Sequence, residues 1–279
     1  MKIKTSLAAI LIAVTLSSGA NAGAVYDRVK QTGVLVAAAD TSTPPSSYLD
    51  ENNELIGFDI DVGNEVAKRL GAKLKIVTPS WDVITAGRWN GRWDISIASM
   101  TVTAERQKVL DFPTIYVAPP AALAVHKDNT TITKVEDASG KRIGVQGAST
   151  YERYLAGNLD IGLPNAAPIV YRIKDADVVS YDTEGLSLDD LRLGDGKRLD
   201  AVVATQQAID AAVRSGYPIK RIGESLFTEP LAVAIDKGDP EFHAAVKQAM
   251  ESMLADGTMK RLSEKWFKDD FATEAAKYN

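Results

Sequence analysis

Between residues 34 and 213, short apolar runs alternate with stretches whose apolar residues recur at helical spacing, and this constrains the fold more than any other feature. The spans 34–39, 74–77, 95–98, 141–145, 169–173 and 201–204 have the length and bounding residues of strands. Between them, 59–70 places Val62, Val66, Ala67 and Leu70 on one helical face, and 185–193 and 206–213 read as further helices. Strands alternating with helices specify α/β layers with a largely parallel sheet. Near the end, Asp239 precedes Pro240 at a favoured first helical position, and Phe242, Val246, Met250 and Met253 share one face. Gly257 marks the stop. A shorter amphipathic helix follows over 258–267, whose Trp266 and Phe267 read as packing residues. Residues 117–120, with paired prolines, and 223–230 read as connections.

The first residues read as an export signal. Lys2 and Lys4 precede an apolar run from Leu7 to Leu16, and Ala20-Asn21-Ala22 supplies a small-residue cleavage site. The run is too short to span a bilayer. No other long apolar run occurs, so a soluble mature chain is expected. The net charge of −5 becomes more negative once both lysines are removed. An acidic chain lacks the basic stripe that nucleic acids or anionic membranes require. The absence of cysteine excludes disulfides, thiolate metal sites, catalytic thiols and a lipidated N-terminal cysteine. No spaced ligand cluster suggests a metal, and no cofactor is expected.

Four segments resemble the polar-amino-acid family of periplasmic solute-binding proteins, bacterial extracellular solute-binding family 3. They are Gly57-Phe58-Asp59-Ile60-Asp61; the run from Ala98 to Arg106 followed by Leu110-Asp111-Phe112; Gly144 to Glu152; and Ala255-Asp256-Gly257-Thr258 through Lys265-Trp266-Phe267. The resemblance implies a type II periplasmic-binding-protein-like fold, with two α/β lobes joined by two crossing strands and a ligand cleft between them. It implies a signal peptide over 1–22, a first lobe over 23–117 plus 230–279, and a second over 118–229. The expected function is capture of a small polar carboxylate, an amino acid or derivative, for the membrane permease of an ABC importer. The chain is expected to act as a periplasmic monomer.

Arg106 offers a planar fork of donors that suits a carboxylate, in a first helical turn capped by Thr103. By resemblance it grips the ligand α-carboxylate; from the residues alone, a surface pair with Glu105 or Asp111 is equally open. Ser99, Met100 and Thr101 stand at the carboxyl end of a strand, where open α/β sheets bind ligands, and Ser149 and Thr150 hold the equivalent place in the second lobe. Turn capping explains such hydroxyls as well. Trp81 matches a position that packs an aromatic ring on the ligand, whereas Trp89 and Trp93 read as core. Thr43 stands where relatives often carry an aromatic, with Ser46 nearby. Asp40 matches an acidic position used for basic side chains, although a capped turn accounts for it too.

One departure stands out. Relatives usually carry an aspartate for the ligand ammonium at the end of the strand ending near Ala204; here Thr205 takes that place, followed by Gln206 and Gln207. A threonine offers only a neutral hydrogen bond, and a buried ammonium without an anion is costly. Either another acid such as Asp40 compensates, or the ligand lacks a free ammonium. Two further readings remain: a cyclohexadienyl-dehydratase-like enzyme on the same scaffold, faintly echoed in Pro79-Ser80-Trp81, and a sensor module. The second normally carries a membrane span and a cytoplasmic domain, neither of which precedes Asn279.

Overall fold

The computed structural model describes residues 23–279, so the leader expected over 1–22 lies outside the described residues. Two mixed sheets organise the chain. The first runs in the order Lys73–Val77, Val34–Ala38, Ile95–Thr101, Leu231–Asp236 and Leu110–Asp111, with Ile115–Val117 also paired to Leu231–Asp236. The second runs Asp177–Tyr181, Arg142–Gln146, Ala201–Thr205, Pro120–His126 and Ile219–Thr228. A small sheet of Ser42–Thr43, Ser47–Leu49 and Leu55–Ile56 stands apart.

Within each large sheet only the first three strands are parallel. The others are antiparallel to their neighbours, so the expectation of a largely parallel sheet needs correction. The cause is the path of the chain. Pro120–His126 and Leu231–Asp236 each begin beside the cleft, and a strand that begins there must run against strands that end there.

A second correction concerns 169–173, which forms no strand. Its backbone is engaged by a side chain instead: Tyr154 donates its hydroxyl to the Val170 carbonyl at 3.2 Å and accepts from the Arg172 N–H at 3.0 Å. Ile173 fills the core, with Ile169 and Tyr171 packed against it and Val170 exposed, while the edge of the sheet is Asp177–Tyr181.

The helices agree closely with the periodicity, at Phe58–Arg69, Glu184–Leu191, Gln206–Arg214, Pro240–Ala255 and Thr258–Phe267. Asp239 caps its helix by accepting from Phe242 N–H at 2.8 Å. Val62, Val66 and Ala67 pack with Phe242, Val246, Met250, Met253 and Phe267 beneath the first sheet. Period-two alternation divides the second sheet between two cores: Leu123, Val125 and Val203 face one, and Ala122, Ala124, Val202 and Ala204 face the other.

The chain passes between the sheets twice, around Pro119 and around Glu229. The crossings lie side by side: Glu229 N–H donates to the Pro119 carbonyl at 2.8 Å, and Thr228 pairs with Pro120. Among the described residues no helix is long and apolar enough to cross a membrane.

Candidate functional site

The parallel strands of both sheets end at one cleft. Ser99 and Thr101 come from Ile95–Thr101, Gln146 from Arg142–Gln146, Thr205 from Ala201–Thr205, and Asp40 from the turn after Val34–Ala38. Of the residues singled out in the sequence, Asp40, Thr43, Trp81, Ser99, Thr101, Arg106, Ser149, Thr150 and Thr205 all line it. Met100 does not. Side chains alternate along a strand, so the one between Ser99 and Thr101 turns away, and Met100 is fully buried against Ile84, Trp89 and Trp93.

Arg106 is buried, with its backbone N–H donating to Thr103 Oγ1 at 3.2 Å. The Thr103 hydroxyl thus meets the Arg106 N–H as expected, but the helix is a single 3-10 turn, Arg106–Lys108, whose N-cap is Glu105. The Arg106 guanidinium donates to the Thr101 carbonyl at 2.9 Å and, across the cleft, to the Ala148 carbonyl at 3.0 Å. The expected surface pairing is absent from these contacts; Glu105 pairs instead with Arg153 of the other lobe. Trp81 lies against the guanidinium, 5.3 Å from ring centroid to Cζ, so the cation–π partner of this ring is Arg106 itself. Burial pulls Arg106 down to about 10, with Glu229 opposing that shift, and it stays charged at neutral pH.

Two acids that sequence reasoning missed line the cleft with this cation. Glu229 Oε1 accepts from Thr101 Oγ1 at 3.0 Å and Thr150 Oγ1 at 2.5 Å, and Oε2 accepts from Tyr151 OH at 2.8 Å. One carboxylate at the crossing thus gathers hydroxyls from both lobes. Glu184 accepts from Thr205 Oγ1 at 3.0 Å and Thr205 N–H at 3.4 Å. Burial pushes Glu184 up to about 8, reinforced by repulsion from Glu229 and opposed by the Thr205 bonds. Glu229 is also raised, chiefly by burial. No local signal marked either residue: Glu184 follows the cap Thr183 and reads as an ordinary first-turn acid, and Glu229 sits in a connection.

Asp40 caps its turn, as weighed for it, and also reaches across the cleft. Oδ1 caps the turn through Ser42 N–H at 2.8 Å, while Oδ2 accepts from Gln146 Nε2 of the other lobe at 3.2 Å. Asp59 accepts from Ser99 Oγ and Tyr116 OH, each at 2.8 Å, which fixes the Ser99 hydroxyl at the cleft wall. Burial raises Asp59 to about 7. Ser149 has spent its acceptor as a cap, taking the Glu152 N–H at 3.2 Å. Asp200 accepts from Arg142 N–H at 2.9 Å, a local role.

The walls meet tightly. Ala104 N–H donates to the Asp160 carbonyl at 3.2 Å, and Gly185 lies so close to Ser42 that a Cβ there would come within 2.6 Å of the Ser42 carbonyl oxygen. This is a closed cleft. Among the described residues, Asp40, Asp59, Glu184 and Glu229 line it against the single cation Arg106. Such a site can hold a carboxylate at one point and positive or hydrogen-bond-donating groups elsewhere. Among the described residues no group of His, Cys, Asp or Glu is arranged to hold a metal.

Residues 35–269 match the model of bacterial extracellular solute-binding proteins, family 3. The chain belongs to that family. Among curated family-3 relatives, the L-cystine-binding protein TcyJ of Escherichia coli is 30% identical over 264 residues, covering 94% of this chain and 92% of the relative. The lysine/arginine/ornithine-binding periplasmic protein of Escherichia coli is 28% identical over 273 residues, covering 95% and 97%. Among solved structures, an ancestral arginine-binding protein bound to arginine superposes with a TM-score of 0.74 at 33% identity, covering 84% of this chain and 98% of that one. An ancestral amino acid-binding protein described as a precursor of cyclohexadienyl dehydratase gives 0.75 at 29%, covering 87% and 99%. Family membership and these superpositions agree with a two-lobed type II fold of α/β layers.

Proposed function

We propose that this chain captures a small amino acid, or a close derivative bearing a carboxylate, between its lobes and presents it to the permease of an ABC importer. The observation that carries the reading is the placement of Arg106, a buried cation whose guanidinium touches both walls of a closed cleft. A planar guanidinium in a dry site binds a carboxylate strongly and with fixed orientation. Lobe 1 is assigned to 23–117 plus 230–279 and lobe 2 to 118–229, with closure about the Pro119 and Glu229 crossings. The names of the relatives support the substrate class, since they include cystine-, arginine- and lysine/arginine/ornithine-binding proteins. The periplasm, a monomeric state and capture without chemistry belong to the same proposal. Calorimetry with the purified protein across the amino acids tests it: saturable binding of at least one is expected, and none by any amino acid or small carboxylate sinks it.

A second reading has one observation in its favour. Glu184, raised by burial, is a carboxylic acid in a cleft, as a general acid must be, and one structural neighbour is a dehydratase precursor. Turnover of prephenate or arogenate by the purified protein would replace capture with catalysis.

A further inference from the structure

The strand Ala201–Thr205 ends at the cleft on the neutral Thr205, and its surroundings show where a negative charge lies. Glu184 is 2% exposed, lines the cleft and takes both the hydroxyl and the N–H of Thr205. It projects from the first turn of Glu184–Leu191, one residue beyond the cap Thr183, whose hydroxyl accepts from Leu186 N–H at 3.3 Å. Its carboxylate is therefore held beside the strand end from a neighbouring helix. We propose that Glu184 receives the ammonium group of the ligand, in place of an acid at position 205. This rests on the capture reading above, and supplies the acid that Thr205 lacks.

Asp40 is worse placed for the role, because it stands on the wall opposite Thr205, where its oxygens cap a turn through Ser42 N–H and tie to Gln146 Nε2 across the cleft. Glu229 is engaged by Thr101, Thr150 and Tyr151. Both known partners of Glu184 come from Thr205, apart from a weaker interaction with the Tyr151 hydroxyl. The carboxylate thus retains lone pairs for a ligand donor.

A proton follows from the assignment. The groups facing Glu184 are Thr205 on the strand, Tyr151 on the helix Thr150–Leu155 and Glu229 on the crossing, with Asp40 and Arg106 on the opposite wall. Burial and Glu229 raise Glu184 to about 8, so at neutral pH the empty cleft holds it mainly protonated. An ammonium favours the ionised form, so capture expels that proton, and affinity rises with pH by up to about tenfold per unit until pH passes roughly 8.

The test is titration calorimetry of an α-amino acid that binds the wild-type protein, near pH 7, in two buffers of different ionisation enthalpy. Wild-type protein is expected to release roughly one proton per ligand. Glu184→Gln keeps the size and one of the two acceptors that Thr205 uses, but removes the charge. It should release markedly less and bind roughly 30-fold or more weakly, the low end of what a lost partner of a buried charge pair costs. Adding Thr205→Asp to that variant should restore much of the affinity, since an acid returns to the strand end. Unchanged affinity and proton release in Glu184→Gln, with an unchanged melting temperature, overturns the assignment while leaving capture intact. Equal binding of an amino acid and its N-acetyl analogue by wild-type protein also overturns it. Absence of any amino acid binding overturns the capture reading instead.

Discussion

Arg106 Nη2 donates to the Ala148 carbonyl oxygen at 3.0 Å, so the only cation lining the cleft among the described residues also ties its two walls together. A ligand carboxylate can share this guanidinium without displacing the contact, since the planar fork has donors beyond those given to Thr101 and Ala148. Closure and anion recognition thereby meet in one side chain.

Replacing it with lysine separates geometry from charge. Arg106→Lys keeps a cation but loses the planar fork and the stacking on Trp81. Affinity is expected to fall by about 1 to 3 kcal/mol, and Arg106→Ala should lose about 2 to 5 kcal/mol or all measurable binding. Calorimetry reads both, and a melting temperature close to wild type keeps the comparison valid.

Closure itself depends on two glycines that face the opposite lobe. A Cβ on Gly185 would approach the Ser42 carbonyl oxygen to 2.6 Å, and one on Gly162 would approach Ala104 N to 2.6 Å. Neither residue has a positive φ, so alanine suits their backbones in an open form. Gly185→Ala and Gly162→Ala should therefore fold normally yet hold the cleft ajar. Small-angle scattering with saturating ligand should show a larger radius of gyration than wild type; identical curves would mean that the walls do not need this contact.

Buried acids make stability fall with pH. Asp59 is raised from 3.8 to about 7 by burial. Between those values the folded chain holds a proton that the unfolded chain has released, so the stabilisation present below about 3.8 is lost as pH rises through about 7. Glu184 acts in the same direction up to about 8. Urea unfolding of ligand-free protein should give a lower free energy at pH 8 than at pH 5, and Asp59→Asn should reduce the difference. A flat profile in the wild type would refute this.

Met100 belongs to the core, and its variant should behave accordingly. Met100→Ala leaves a cavity beside Trp89 and Ile84, for a cost of about 2 to 5 kcal/mol in unfolding free energy. Ligand affinity per folded molecule should stay within a few-fold of wild type. Loss of affinity with no loss of stability would return Met100 to the cleft.

Local patterns made much of this legible. The apolar face of Phe58–Arg69, the cap at Asp239 and the strand ends bearing Ser99, Thr101 and Thr205 depend on neighbours a few residues apart, and such spacing is written directly in the chain. The run 169–173 misled because its apolar character serves the core beneath Tyr154 while its backbone bonds elsewhere. Periodicity reports burial and is silent about the ladder partner.

The sequence by itself determined the layered α/β organisation, because helix faces and strand runs are short-range properties. Only the tertiary structure decided which acids share the cleft with Arg106. Folding sets Glu184 against Thr205, 21 residues away, and Glu229 between Thr101 and Thr150, 128 and 79 residues away. A carboxylate acquires its function from the dielectric and the charges around it, and those are assembled from distant segments only when the lobes close.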